Sequence, residues 1–194
     1  MSSISTGSKQ VAAANQAPAS QIATSIQIPS DSAHVFKVRL AEEMDGEIRD
    51  SIWALFEANM RAMYTASSFG WDPPTKRAEL FDPLTRFVLV RGAGALVAFA
   101  AFRFEFEDGE NILYCYDLQV ASAARRQGLG RVLMQHLTKI GQDFKLRKLM
   151  LTVFESNTPA RRFYESIGFQ LDRGSPGDED DEDYRIMYKT LNVA

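Results

Sequence analysis

The sequence is short of the residues that most readily betray a function. One cysteine, Cys115, in 194 residues excludes an internal disulfide and fits a reducing compartment. It falls inside a strand-like stretch, where a buried small side chain is expected rather than a reactive thiol. Two histidines, His34 and His136, form no metal-ligand cluster, and no metal is expected. The longest apolar run, Ala95 to Phe102, is far too short to span a bilayer. Net charge is −3, so no global basic field argues for nucleic acid. There is no Gly-Lys-Ser or Gly-Lys-Thr of a Walker loop, no G-x-G-x-x-G run of a dinucleotide fold, and no internal repeat. Residues 1–33 carry only Lys9 and Asp31 as charges and lack the basic start and apolar core of a signal peptide.

What remains is ordinary for one globular domain: 45% apolar and 24% charged residues. Residues 1–33, rich in Ser, Ala, Gln and Thr, are expected to be a flexible polar tail, and residues 34–194 the domain. Val35–Leu40 alternates as a first strand. Asp45 to Tyr64 carries Ile48, Ile52, Leu55, Phe56, Met60 and Met63 at helical spacing, with the methionines expected in the core. Tyr64 to Trp71, closed by Pro73-Pro74, reads as a rigid aromatic loop rather than a continuing helix. Phe87–Val90 and Leu96–Phe104 read as a hairpin joined by Gly92-Ala-Gly94. An acidic run, Asp178 to Asp183, precedes a last strand, Tyr184 to Tyr188. Solvated surface is the plain reading of that run; the alternative is a field that attracts a basic substrate, with Tyr184 closing over it.

The chain is organised around residues 111–141. Ile112, Leu113, Tyr114, Tyr116, Leu118 and Val120 mark a strand, and Leu129, Val132, Leu133, Leu137 and Ile140 mark an amphipathic helix. Between them stands Arg125-x-x-Gly128-x-Gly130. Glycines let the backbone pass close to a ligand, and the helix start presents unpaired N–H groups and a positive dipole end, a receptor for pyrophosphate.

Arg-x-x-Gly-x-Gly after a strand resembles the acetyl-CoA loop of the GCN5-related N-acetyltransferase (GNAT) superfamily. The strand Lys148–Phe154 followed by Asn157, Ala160, Phe163, Tyr164, Gly168 and Phe169 resembles how that superfamily continues. The resemblance implies an α/β fold with a mixed twisted β-sheet flanked by α-helices, and acetyl-CoA as cosubstrate. Its cofactor contacts would come from Leu118, Gln119 and Val120, then Arg125, Arg126, Gln127, Gly128, Leu129, Gly130 and Arg131, with Asn157 and Tyr164.

Within the superfamily, Asn59-Met60, Met63-Tyr64, Gly70-Trp71, Phe102-Arg-Phe104, Leu113-Tyr-Cys-Tyr116 and Met150–Phe154 resemble the NatD family. That family acetylates the N-terminal α-amine of histones 4 and 2A, whose tails begin Ser-Gly-Arg-Gly. Phe69, Glu105 and Asp117 stand where it often has Trp, Asp and Glu. The resemblance implies histone tails as partners, with no direct contact to nucleic acid or membrane, a monomer, and a place in nucleus and cytoplasm. The substrate side would comprise Tyr64, Phe69, Trp71, Glu105, Phe106, Glu107, Tyr114, Tyr116, Thr152, Gly174 and Tyr184.

Acetyl transfer needs a neutral amine, a polarised thioester carbonyl and a protonated leaving thiolate. An α-amine titrates at about 7.7 to 8.0, so a weak base suffices. Asp117 is the first choice for that base and Tyr64 the second, with Tyr116 bonding the reacting centre or serving as acid. A regular strand would point Tyr114 and Tyr116 opposite to Cys115 and Asp117, and a bulge would bring Tyr116 and Asp117 together. Glu105 and Glu107 read either as a solvated strand end or as acceptors for the N–H groups and third-position Arg of a peptide. The alternatives are an acetyltransferase for another protein N-terminus, a lysine side chain or a small-molecule amine, or a CoA-binding module without catalysis.

Overall fold

The computed structural model describes residues 8–28, 33–177 and 179–192. Seven strands form one sheet: β1 (Val35–Leu40), β2 (Arg86–Gly92), β3 (Ala95–Glu107), β4 (Glu110–Val120), β5 (Lys148–Phe154), β6 (Gln170–Leu171) and β7 (Tyr184–Thr190). Their order is β1-β2-β3-β4-β5-β7-β6. All neighbours are antiparallel except β4 and β5. The helices are α1 (Lys9–Asn15), α2 (Ala19–Ala23), α3 (Gly46–Thr65), α4 (Pro73–Leu80), α5 (Leu129–Asp143) and α6 (Thr158–Ser166).

The strands are apolar on both faces because both faces are covered. Phe87, Leu89, Phe99 and Ala101 pack with Ile52, Trp53 and Phe56 of α3 and Leu80 of α4. The intervening Val88, Val90, Ala98 and Ala100 belong to the opposite core with Val11, Ile22, Leu133, Leu137 and Tyr164, from α1, α2, α5 and α6. The mixed sheet flanked by helices expected from the sequence is the fold observed.

One local expectation gives way and another is extended. Residues 8–28 are not a tail: Val11 and Ile22 are fully buried. Gln10 Nε2 donates to the carbonyls of Phe144 and Lys145, at 2.7 and 2.8 Å, and Asn15 Nδ2 donates to that of Phe104 at 3.1 Å. The polar residues that mimic a solvated tail supply bonds to backbone groups, while two large apolar side chains fill the core. The loop expected from Tyr64 to Trp71 is present between α3 and α4, and Pro73-Pro74, which closes it, also opens α4. Proline is tolerated in the first turn, where its missing N–H would have no partner, and Asp72 caps that turn by accepting from Thr75 N.

Two irregularities of β4 create space for a site. Its register against β3 shifts between Ala101 and Phe102: Ala101 faces Asp117 and Phe102 faces Cys115, leaving Tyr116 as the extra residue of a bulge. Its parallel pairing with β5 runs from Ile112 to Cys115 and stops, although both strands continue. Beyond Cys115 the two strands have parted.

Candidate active site

Into this opening runs a cavity of about 1200 Å³. At one end, Leu118, Gln119 and Val120 lie along the part of β4 that pairs with β3 but not with β5. The next turn takes Arg126 through φ 66° and Gly128 through φ 80°, both left-handed, a backbone form that can cup N–H groups around an anion. Gly128 caps α5 without a side-chain acceptor, leaving the N–H groups of the first turn for a ligand. Gly130 lies against Phe163, where a Cβ would make an ordinary contact 3.5 Å from the ring. Arg125, Arg126, Leu129, Arg131, Asn157 and Tyr164 also line this end. Gln127 does not; its Nε2 donates to the carbonyl of Ala123 at 3.3 Å. Asn157 Oδ1 caps α6 by accepting from Ala160 N at 3.3 Å, so its side chain offers the cavity a donor, Nδ2. These features suit an elongated ligand with a pyrophosphate at one end and amide groups along its length.

At the other end the bulge brings Tyr114, Tyr116 and Asp117 to the same cavity. Tyr114 and Thr152 share a hydrogen bond of 2.5 Å between their hydroxyls. The Tyr116 hydroxyl donates to Glu105 Oε1 at 2.7 Å, and the Arg103 guanidinium lies 4.1 Å from the Tyr116 ring centroid. Glu105 is only 9% exposed, so it is no solvated strand end; burial first raises its carboxyl pKa, against Tyr116 and Arg103. Glu107 lines the cavity half-buried, raised first by burial and then by Asp108 and Asp172. Phe106 lines it too.

Asp117 is the most perturbed acid here. Burial pushes its carboxyl up to about 7, against the hydrogen bond from Gln119 Nε2, with Glu79 adding to the rise and Lys76 opposing it. Burial, with Asp117 and Glu79 nearby, also raises the phenol of Tyr64. The phenols of Tyr114 and Tyr116 are raised chiefly by burial. Tyr164 is likewise held protonated by burial beside Cys115 and Asp117. Burial pushes the Cys115 thiol up as well, so the cysteine lines the cavity as a small neutral group.

Phe69, Tyr184, Tyr64 and Phe154 make an aromatic wall, with Phe69 5.4 Å from Tyr184 and Tyr64 4.9 Å from Phe154 between ring centroids. Asp183 braces that wall: its carboxylate accepts from Ser68 N at 2.7 Å and Ser68 Oγ at 3.0 Å. One member of the acidic run is therefore a tie between the α3–α4 loop and β7, while Asp178 lies outside the described residues. Two expected substrate residues stand elsewhere. Trp71 packs behind the wall on Trp53, Phe56 and Tyr64, at 5.7, 6.2 and 6.1 Å, because its ring completes the α3 core. Gly174 lines a separate depression with Asp108 and Asp172.

Lys76 and Glu79 of α4 also line the cavity, although neither stands out in the sequence. Lys76 Nζ sits 4.5 Å from the Tyr64 ring centroid and pairs with Glu79 Oε2 at 2.7 Å. Asn59 links this end to the loop, and Met60, packed on the α3 core as expected, also lines the cavity beside Met63. Helical spacing shows which face is apolar but not whether that face meets protein or a ligand.

Residues 48–169 match the acetyltransferase (GNAT) family. The chain belongs to the GNAT family. Acetyltransferases of this family use acetyl-CoA, and the loop and parted strands of this GNAT chain have the shape and donors to hold it. Over 170 residues the chain is 30% identical to N-alpha-acetyltransferase 40 of Saccharomyces cerevisiae, covering 75% of this chain and 60% of that protein. It thus spans under two thirds of that relative's length. Over 104 residues it is 30% identical to the [ribosomal protein bS18]-alanine N-acetyltransferase of Escherichia coli, covering 54% of this chain and 67% of that one. A solved aminoglycoside 6'-acetyltransferase type Ii shares the fold at 17% identity, with TM-score 0.64 over 82% of this chain and 99% of its own.

Proposed function

We propose that this GNAT protein is an acetyl-CoA-dependent N-terminal acetyltransferase, and that its acceptors are histone 4 and 2A tails beginning Ser-Gly-Arg-Gly. The observation that carries the reading is the gathering of Asp117, Tyr114, Tyr116 and Glu105 at the end of the cavity opposite the loop. Identity with N-alpha-acetyltransferase 40 supports the N-terminal acceptor. Histone tails as acceptors would set the protein to work in nucleus and cytoplasm.

Acetyl-CoA supplies the acetyl group as a thioester. The N–H groups around Gly128 to Arg131 would hold its pyrophosphate, and Leu118 to Val120 with Asn157 its amide-bearing arm. Asp117, titrating near 7, accepts the proton of the α-amine, directly or through water. Tyr164 Oη holds a proton beside Cys115 and Asp117 for the departing sulfur. Tyr116 keeps its own proton on Glu105, so it positions that carboxylate rather than acting as the acid. Glu105 and Glu107 offer acceptors to the N–H groups and Arg of the peptide.

Steady-state kinetics on peptides varied at each of the first four positions tests the acceptor. The highest kcat/KM is expected for Ser-Gly-Arg-Gly, with loss on replacing the third-position Arg by Ala. Equal rates across the panel would leave an N-terminal acetyltransferase of other specificity.

A further inference from the structure

Asp117 is tied to the cofactor loop by three side-chain hydrogen bonds in series. Arg125 Nη2 donates to Asn59 Oδ1 at 2.7 Å, Asn59 Nδ2 donates to Gln119 Oε1 at 3.0 Å, and Gln119 Nε2 donates to Asp117 Oδ1 at 2.9 Å. Chemistry alone fixes the direction. A guanidinium can only donate, so the Asn59 oxygen must face Arg125 and its amide nitrogen must face Gln119. Gln119 must then meet Asn59 with its oxygen, and what it has left for Asp117 is a donor. A donor fixed on a carboxylate favours the ionised form.

The chain is also rigidly seated. Gln119 is 5% exposed, and Asn59 Nδ2 and Arg125 Nε both reach the Val120 carbonyl, at 3.2 and 3.3 Å. Arg125 opens the loop expected to hold pyrophosphate, and Asn59 lies on α3 with Tyr64. The series therefore joins the two ends of the cavity through the half-buried amide of Asn59 and the buried amide of Gln119, whose orientations depend on one another.

We infer that Asn59 and Gln119 are positioning residues, which orient a donor onto Asp117 and keep its carboxylate ready to take the amine proton, with Arg125 setting the direction of the series. The inference rests on Asp117 being the base of the proposed reaction. The other groups facing Asp117 are Tyr64 from α3, Lys76 and Glu79 from α4, Cys115 beside it on β4 and Tyr164 from α6. None of them supplies the donor that Gln119 does in this structure. Without Asn59, Gln119 loses the partner that fixes its amide and can turn its oxygen to Asp117.

The test compares wild type with Asn59→Leu and Gln119→Met. Carbon NMR of the Asp117 carboxyl, assigned by its loss in Asp117→Asn, follows its titration without substrate. Both variants are expected to titrate higher by roughly one pH unit, a tenfold change in proton affinity. The acid limb of kcat/KM for Ser-Gly-Arg-Gly peptide should move by the same amount, so that the loss of kcat is largest at acid pH and shrinks as pH rises toward 9. An unchanged Asp117 titration overturns the inference, and so does a loss of activity equal at every pH, which would mark Asn59 and Gln119 as structural. Wild-type protein that acetylates no N-terminal peptide would overturn the proposed function instead, while the carboxyl titration still decides the series. Should Asn59→Leu fail to fold, Gln119→Met carries both measurements.

Discussion

Tyr116 and Glu105 meet across the β3–β4 ladder by a 2.7 Å hydrogen bond from hydroxyl to carboxylate. The pair exists because the bulge makes Tyr116 the extra residue of β4, and Arg103 stacks on its ring from two positions before Glu105. Arg103 is itself buried and donates to Thr85 Oγ1 at 2.9 Å. The carboxylate thus serves both the fold and the proposed peptide site, and substitution separates the two.

Glu105→Gln keeps an oxygen for Tyr116 and removes the charge. Its melting temperature should stay within a few degrees of wild type, while KM for Ser-Gly-Arg-Gly peptide rises about tenfold or more, for loss of a charge-assisted bond of about 1.5–3 kcal/mol. Glu105→Ala should also destabilise the fold, by about 1 kcal/mol, because the half-buried Tyr116 hydroxyl loses its partner. Denaturant unfolding beside steady-state kinetics checks both. Equal peptide KM in Glu105→Gln and wild type would confine Glu105 to the fold.

Asp117 links activity and stability with opposite signs. Its folded-state pKa, about 7, lies above the ordinary carboxylate value, so between about pH 4 and 7 the unfolded chain ionises first and this residue withdraws stability as pH rises. Asp117→Asn is therefore expected to melt higher than wild type at pH 8, by a few degrees, while kcat falls by about 10² to 10⁴. In wild type, kcat/KM should climb with pH through about 7. Thermal melts at pH 5 and 8 with a pH–rate profile check this; a variant less stable than wild type at pH 8 would contradict it.

The loop was legible because its job is done by backbone. Gly128 and Gly130 declare close approach in the sequence itself, and the strand and helix around them carry strong periods. The other end of the cavity was legible only in part. Tyr114, Tyr116 and Asp117 stood out as residue types, but alternation alone points Tyr116 and Asp117 to opposite faces, and only the bulge reconciles them. Lys76 and Glu79 stayed hidden because a double proline reads as an end when in fact it begins a helix. Val11 and Ile22 stayed hidden because two apolar residues among small polar ones do not make a periodic signal. Trp71 was misplaced for a different reason: a Trp beside an aromatic loop fits a substrate wall as well as it fits the core of α3.

The loop itself yields a prediction. Gly130→Asp would set a carboxylate where pyrophosphate is expected, and Gly128→Pro would put a fixed negative φ where the chain needs 80°. Both variants should lose acetyl-CoA affinity by at least about a hundredfold, the Asp variant with little change in melting temperature, because removing or opposing charged hydrogen bonds of 1.5–3 kcal/mol each compounds across the loop. Isothermal calorimetry reads it, and retained affinity in Gly130→Asp would move the pyrophosphate elsewhere.

Asp183→Ala cuts both bonds to Ser68 and loosens the wall that Phe69 and Tyr184 form. KM for the peptide should rise roughly tenfold, with acetyl-CoA affinity unchanged, given about 1–3 kcal/mol for the lost contacts. Hydrogen exchange of the Ser68 amide should accelerate in parallel. An unaltered KM would leave the tie without a part in acceptor binding.

Transfer of an acetyl group to an N-terminal amine can be read from a single experiment. The protein is incubated with acetyl-CoA and a peptide beginning Ser-Gly-Arg-Gly, in parallel with the same peptide blocked at its α-amine, and the acetyl position is read by tandem mass spectrometry. One acetyl group is expected, on the α-amine, in the unblocked peptide and none in the blocked one. Acetylation of lysine side chains at equal rates in both peptides would contradict it.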